Sequence, residues 1–239
     1  MLPFLLILVQ LGISWLIVWY LEKGNLSFLG LKPETRRISD FFLFLFISTF
    51  FSTLTYILKG TLGKEVWHLN PNLNLSFWLQ GVGTKILWVF TEEMLFRGVL
   101  FYMVWKKWNA LTAILISSTL FGMYHWVTFG ILGQYGLMIK TFFPIFSLGF
   151  IYGYGYVISK SLYSTLGMHF GYVITIAFLF AEDPAVQGVF VLDKATEFHG
   201  SGIINGLINL LPLILNLLVC FLFLWIRNRN TRKALTSSY

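Results

Sequence analysis

Seven apolar runs divide the chain: Leu2–Leu21, Phe41–Leu58, Val82–Trp105, Leu111–Val127, Met138–Ser159, Leu162–Ala181 and Ile203–Ile226. Each is close to the ~20 residues that a helix needs to cross a hydrocarbon core about 30 Å thick. The pattern predicts an all-α fold, a polytopic transmembrane helical bundle of about seven spans (6–8), in a single membrane domain covering 1–239. Leu75–Gly81 reads as an interfacial lead-in to the third run. The first run has no basic segment before it and no small-residue cleavage site, so it reads as a retained helix rather than a removed signal. Repeats, linkers and low-complexity segments are absent from the sequence.

Composition agrees. The chain is 57% hydrophobic and 11% charged, whereas soluble domains carry about 25% charged residues. The net charge of +7 does not point to nucleic acid, because the basic residues lie in short loops between apolar runs and form no stripe. They bear instead on orientation, since loops rich in Lys and Arg stay in the cytoplasm. With the C-terminus inside, the cytoplasmic segments hold Lys23, Lys32, Arg36, Arg37, Lys106, Lys107, Lys160, Arg227, Arg229, Arg232 and Lys233. The outer segments hold Lys59, Lys64, Lys140 and Lys194, 11 against 4. The outer loop Glu182–Gly202 is net acidic. The expected topology is N-terminus outside and C-terminus cytoplasmic, in a cell membrane whose compact, short-looped style reads as bacterial plasma membrane. The single cysteine, Cys220, excludes an internal disulfide and reads as a small packing residue. Small residues predict close helix contacts at Gly149/Gly153 and Gly167/Gly171, and Pro144 predicts a kink.

A few charged residues fall at membrane depth. Glu92, Glu93 and Arg97 sit in the third run, and Glu92 lies roughly 20 Å along the helix from Trp105 at 1.5 Å per residue. Charges there are costly unless paired or facing a wet cavity. Glu93 and Arg97 are i, i+4 with the acid first, the favourable order for an ion pair, and interhelical glue is an equal alternative for them. Glu92 points about 100° away and remains for chemistry. His125 in the fourth run and His169 in the sixth lie about 21 Å and 11 Å from the cytoplasmic starts of their helices. Tilt lets all three reach one cavity. A carboxylate and an imidazole sharing a water make a general-base pair, and a second imidazole can donate to an oxyanion. The chemistry expected is amide hydrolysis by activated water. His68 and His199 read as solvated loop residues, and Lys85 as a side chain snorkelling to the outer interface.

These residues resemble the CPBP family of intramembrane glutamic endopeptidases, also called the Abi or type II CAAX prenyl protease-like family. Its EExxFRG motif is matched by Glu92, Glu93, Phe96, Arg97 and Gly98, and its FxxxH motif by Phe121 and His125. Its third motif, a histidine with Asn or Asp four residues on, is met by His169 after Ser161-Leu162 but departs at Val173. The family-like core covers about 82–173. The resemblance implies an intramembrane protease cutting towards the cytoplasmic face, with Glu92 and His125 activating water, His169 on the oxyanion, and Glu93 and Arg97 supporting. It implies no cofactor and a metal-free site, with a peptide or membrane-protein substrate in a lipid bilayer. The family's Asn would be a second oxyanion donor. Valine cannot donate, and Tyr172 is a possible replacement. Two other readings stand beside the protease. One is a non-catalytic protein of the same fold, such as a bacteriocin self-immunity or scaffold protein. The other is a zinc enzyme or ion-coupled transporter using Glu92, Glu93, His125 and His169 as ligands. Substrate and oligomeric state are not encoded in any motif.

Overall fold

The computed structural model describes residues 2–62, 64–181, 188–192 and 202–236. Among these residues there are eight α-helices: α1 (Leu2–Glu22), α2 (Thr35–Thr61), α3 (Leu75–Arg97), α4 (Val99–Lys107), α5 (Ala110–Thr128), α6 (Tyr135–Ser159), α7 (Leu162–Ile174) and α8 (Gly202–Thr236). Six stretches are long and apolar enough to cross a bilayer: α1, α2, α5, α6, α7 extended to Leu179, and α8. The bundle expected from the apolar runs is therefore observed.

The third run departs from a single span. It begins at Leu75, where the Asn74 side chain accepts from the Phe77 amide at 3.0 Å, so the lead-in is the first two turns of α3. It then breaks at Gly98. A Cβ on Gly98 would sit 2.0 Å from the Met94 carbonyl oxygen, which is why glycine occupies the corner. Asn109 and Ser161 cap α5 and α7 in the same way as Asn74, accepting from Thr112 at 2.8 Å and Tyr163 at 3.2 Å. These caps satisfy amides that the first helical turn leaves without partners.

Helix α7 is the centre of the bundle. In its apolar stretch 61% of residues are buried, against 17% in α1, whose Leu5, Leu8, Ile13 and Leu16 remain exposed on the outside. The Gly167/Gly171 pair lies directly against α2. A Cβ at either position would stand 2.3 Å from the Phe41 carbonyl oxygen or 2.5 Å from that of Leu45. Such contact without side chains is how helices gain packing energy in lipid. On the other side of the core, Gly149 and Gly153 face Ser118 and Ile114 of α5. Pro144 lies within an unbroken α6.

One feature was absent from the sequence pattern. Three short strands, β1 (Trp67–Leu69), β2 (Phe180–Ala181) and β3 (Phe190–Leu192), form a sheet in the order β1-β3-β2. β1 is antiparallel to β3 and β2 is parallel to it. The sheet ties the segment after α2 to the segment after α7, and Tyr56 stacks on Phe180 with ring centroids 4.5 Å apart. His68, on β1, is exposed as expected. His199 lies outside the described residues. Cys220 is buried and its thiol donates to Asn216 Oδ1 at 3.4 Å, in keeping with a packing role.

The two ends of the bundle are well defined. At one end Lys106 pairs with Glu22 at 2.8 Å, Arg227 pairs with Asp40, and Ser161 Oγ donates to the Gly30 carbonyl at 2.9 Å. At the other end lie the sheet, the Trp78 indole donating to Phe178 O at 3.1 Å, and the Trp126 indole donating to Met138 O at 3.0 Å. α1, α3, α4, α6 and α8 therefore run towards the basic end, and α2, α5 and α7 towards the sheet-bearing end.

Candidate active site

The site grows from two adjacent faces of α3. Lys85, Trp88, Val89 and Glu92 form one stripe, with Lys85 and Glu92 two turns apart. Glu93 and Arg97 lie on the next face, turned into the protein. Arg97 Nη1 donates to Glu93 Oε1 at 3.2 Å and both side chains are fully buried. The expected i, i+4 ion pair is thus formed. Arg97 Nη2 donates to the Gly149 carbonyl at 2.9 Å. The guanidinium carbon lies 4.7 Å from the Phe121 ring centroid and 5.4 Å from that of Tyr152. A Cβ on Gly149 would press within 3.1 Å of Phe121 and 3.4 Å of Arg97 Nη2. Gly149 thus brings α6 near enough to hold the guanidinium. A buried charge pair is stable only when its remaining hydrogen-bonding groups are met; the Gly149 carbonyl meets Nη2, while Arg97 Nε and Glu93 Oε2 have no partner among the described residues.

His169 joins this pair to the second carboxylate. Its Nδ1 lies 2.8 Å from Glu93 Oε1. A carboxylate so placed accepts, so Nδ1 carries the proton and donates. The other nitrogen, Nε2, is 3.6 Å from Glu92 Oε2. That separation is longer than a hydrogen bond, and both residues border the same cavity. Tyr152 stacks on the imidazole, centroids 5.1 Å apart and planes 24° apart, and Phe121 meets it edge-on at 5.8 Å. Glu93 therefore orients His169 as well as balancing Arg97, which the spacing on α3 alone did not reveal.

His125 is fixed from its own helix. Nδ1 lies 2.8 Å from the Phe121 carbonyl oxygen, which can only accept, so the proton is on Nδ1 and Nε2 presents a lone pair. The Phe121 ring also packs against His125 at 4.6 Å. The phenylalanine of the FxxxH pattern thereby touches both histidines and Arg97.

Glu92, His125 and His169 line one cavity of about 510 Å³. The side chain of Glu92 is 20% exposed, against 0% for Glu93, so it is the carboxylate that faces the cavity. Tyr152, Tyr172 and Val173 share the lining, as do Lys85, Thr128, Phe129, Lys140 and Ala177. These last five lie towards the sheet-bearing end, so the cavity runs from Glu92 and His169 to that end. Lys85 is exposed but faces this opening rather than reaching away from the protein. The cavity is bordered by a second of about 530 Å³ between α2 and α8, with Pro144, Tyr172 and Ile176 common to both.

All five sequence-predicted site residues are brought together: Glu92, His125 and His169 on the cavity, Glu93 and Arg97 behind it. Sequence reasoning missed Tyr152. This residue is 1% exposed and its hydroxyl has no hydrogen-bond partner among the described residues. It lies in an aromatic stretch of α6 that carries no motif, so no local signal distinguished it. Val173 is buried against Val89 and Phe170. Among the described residues, no three or more His, Cys, Asp or Glu side chains are grouped to hold a metal ion.

The family model described as type II CAAX prenyl endopeptidase Rce1-like covers residues 74–175, from the cap of α3 through α7, the stretch that carries Glu92, Glu93, Arg97, His125, Tyr152 and His169. No curated protein and no solved structure matches the chain. The segment that builds this cavity is therefore similar to the type II CAAX prenyl endopeptidase Rce1-like family.

Proposed function

We propose that the protein is an intramembrane endopeptidase that hydrolyses a peptide bond with a water molecule activated by Glu92 and His125, without a metal. The observation that carries this reading is the meeting of Glu92 with His169 Nε2 at 3.6 Å in a cavity that His125 also lines. Glu92 takes a proton from water while His125 Nε2 orients it, and the oxygen adds to the scissile carbonyl. His169, held through Nδ1 by Glu93, donates through a protonated Nε2 to the oxyanion. Collapse of the tetrahedral intermediate breaks the C–N bond, and the proton passes from Glu92 to the departing amine.

The amide that the family places four residues after this histidine is replaced by Val173. We assign the second donor to the hydroxyl of Tyr152, a residue that lines the same cavity and whose ring stacks on His169; the hydroxyl is buried and has no partner of its own among the described residues. Tyr172 also lines the cavity.

Val173 also favours a second reading, a non-catalytic protein of the same fold that acts by binding, such as an immunity or scaffold protein. Comparative peptidomics of cells carrying wild type or Glu92→Gln separates the two. The protease reading expects peptides that accumulate or disappear in the variant, and identical pools would leave the binding reading. Cleavage by purified protein that persists in excess chelator supports the metal-free site, and inhibition reversed by added zinc would refute it.

A further inference from the structure

The cavity has a direction, and the charge on the bundle has one too. The mouth residues come from the ends of helices that meet at the sheet: Thr128 and Phe129 after α5, Lys140 and Thr141 early in α6, Ala177 after α7, and Lys85 in the first half of α3. The floor residues Glu92, Tyr152 and His169 lie deeper on the same helices. The opposite end, where α4 stops and α7 starts, is closed by Glu22–Lys106 and by the Ser161–Gly30 contact.

Basic residues gather at that closed end. Among the described side chains it carries Lys23, Lys32, Arg36, Arg37, Lys106, Lys107, Lys160, Arg227 and Arg229, whereas the open end carries Lys59, Lys64, Lys85 and Lys140. That is nine against four, even with both cavity lysines counted for the open end. Most lie in short connections or near helix ends, where the charge bias governs orientation; Lys85, inside α3, does not. The cytoplasmic surface of anionic lipid adds attraction of about 1 kcal/mol for each Lys or Arg near it.

We infer that the cavity opens to the extracytoplasmic face, and that the polypeptide it acts on reaches Glu92 from outside the cytoplasm. This rests on the protease reading for the word substrate, but not for the direction of the opening. It replaces the cytoplasmic cut implied by family resemblance, because the positive end and the open end are opposite ends of the molecule. The substrate class is then a translocated or surface-anchored peptide segment, not a cytosolic protein tail.

Two measurements test it. In a Cys220→Ser background, Gln134→Cys and Lys140→Cys at the open end and Lys107→Cys at the closed end are probed in intact cells with a membrane-impermeant maleimide. Labelling of the first two without permeabilisation, and of the third only after it, is the expected result. The reverse pattern overturns the inference. Right-side-out and inverted membrane vesicles are then given the extracellular peptide fraction of Glu92→Gln cells. Cleavage confined to right-side-out vesicles supports an outer substrate, and cleavage confined to inverted ones overturns it. If neither orientation cleaves while the labelling pattern holds, the protease reading falls and the outward opening stands.

Discussion

The two glutamates, adjacent in sequence, have opposite tasks because their side chains leave α3 about 100° apart. Glu92 accepts no hydrogen bond from the described residues and is partly exposed to the cavity, so little of the fold depends on its charge. Glu92→Gln is expected to abolish cleavage while thermal unfolding in detergent shifts by less than about 1 kcal/mol. Arg97 is the converse. Arg97→Ala leaves the Glu93 carboxylate buried without its counter-charge, which costs roughly 3–5 kcal/mol when one member of a buried pair is removed. The double change Glu93→Leu/Arg97→Met should lose less stability than Arg97→Ala alone, and a double-mutant cycle on unfolding free energies checks this. Tyr152→Phe separates stability from chemistry. A buried hydroxyl without a partner costs about 1–3 kcal/mol, so its removal should leave stability equal or higher. If the hydroxyl is the second oxyanion donor, turnover should fall by about 10²–10³-fold with little change in KM. Unchanged turnover would remove Tyr152 from the mechanism, and Val173→Asn in the Tyr152→Phe background should restore part of the rate.

At the scale of elements, the site depends on how closely helices approach. Glycines set that approach at both of the faces that carry α6 and α7. Gly167→Ala puts a methyl group 2.3 Å from the Phe41 carbonyl oxygen, and neither backbone can yield without parting α2 from α7. The expected cost is 1–3 kcal/mol or somewhat above, as for overpacked cores. Because His169 is two residues further along the same helix, cleavage should fall more than stability does. Thermal unfolding and turnover measured together check this, and equal stability with full activity would refute the close contact. Gly98 works differently, by letting α3 end within one residue of Arg97. The apolar run Val82–Trp105 gives no sign of that corner, since an isolated glycine inside a helical pattern is commonly tolerated. The Asn74 cap is a signal that sequence reading can use, and it explains why α3 begins before its apolar run.

At the scale of the whole molecule, a charge gradient runs along the bundle axis and the cavity opens against it. The Glu22–Lys106 and Asp40–Arg227 pairs join α1 to α4 and α2 to α8 at the basic end. Side-chain hydrogen bonding to the Glu22 carboxylate raises the Lys106 pKa. A raised lysine pKa contributes stability below the ordinary lysine range and loses it only as pH climbs through the folded value. Stability measured between about pH 6 and 8, well below the ordinary lysine range, should therefore not respond to this pair.

Sequence alone determined what is local: apolar runs of spanning length, the i, i+4 spacing of Glu93 and Arg97, and the three motif positions at compatible depths. Those follow from helix periodicity and the thickness of a bilayer, which act within one segment. Tertiary structure decided what joins distant segments. Arg97 reaches the Gly149 carbonyl across 52 positions and His169 reaches Glu93 across 76. The stacking of Tyr152 on His169, the small sheet and the mouth of the cavity are of the same kind. Each arises from which helix faces which, and in lipid that is settled by close packing of small residues rather than by a hydrophobic pattern written along the chain.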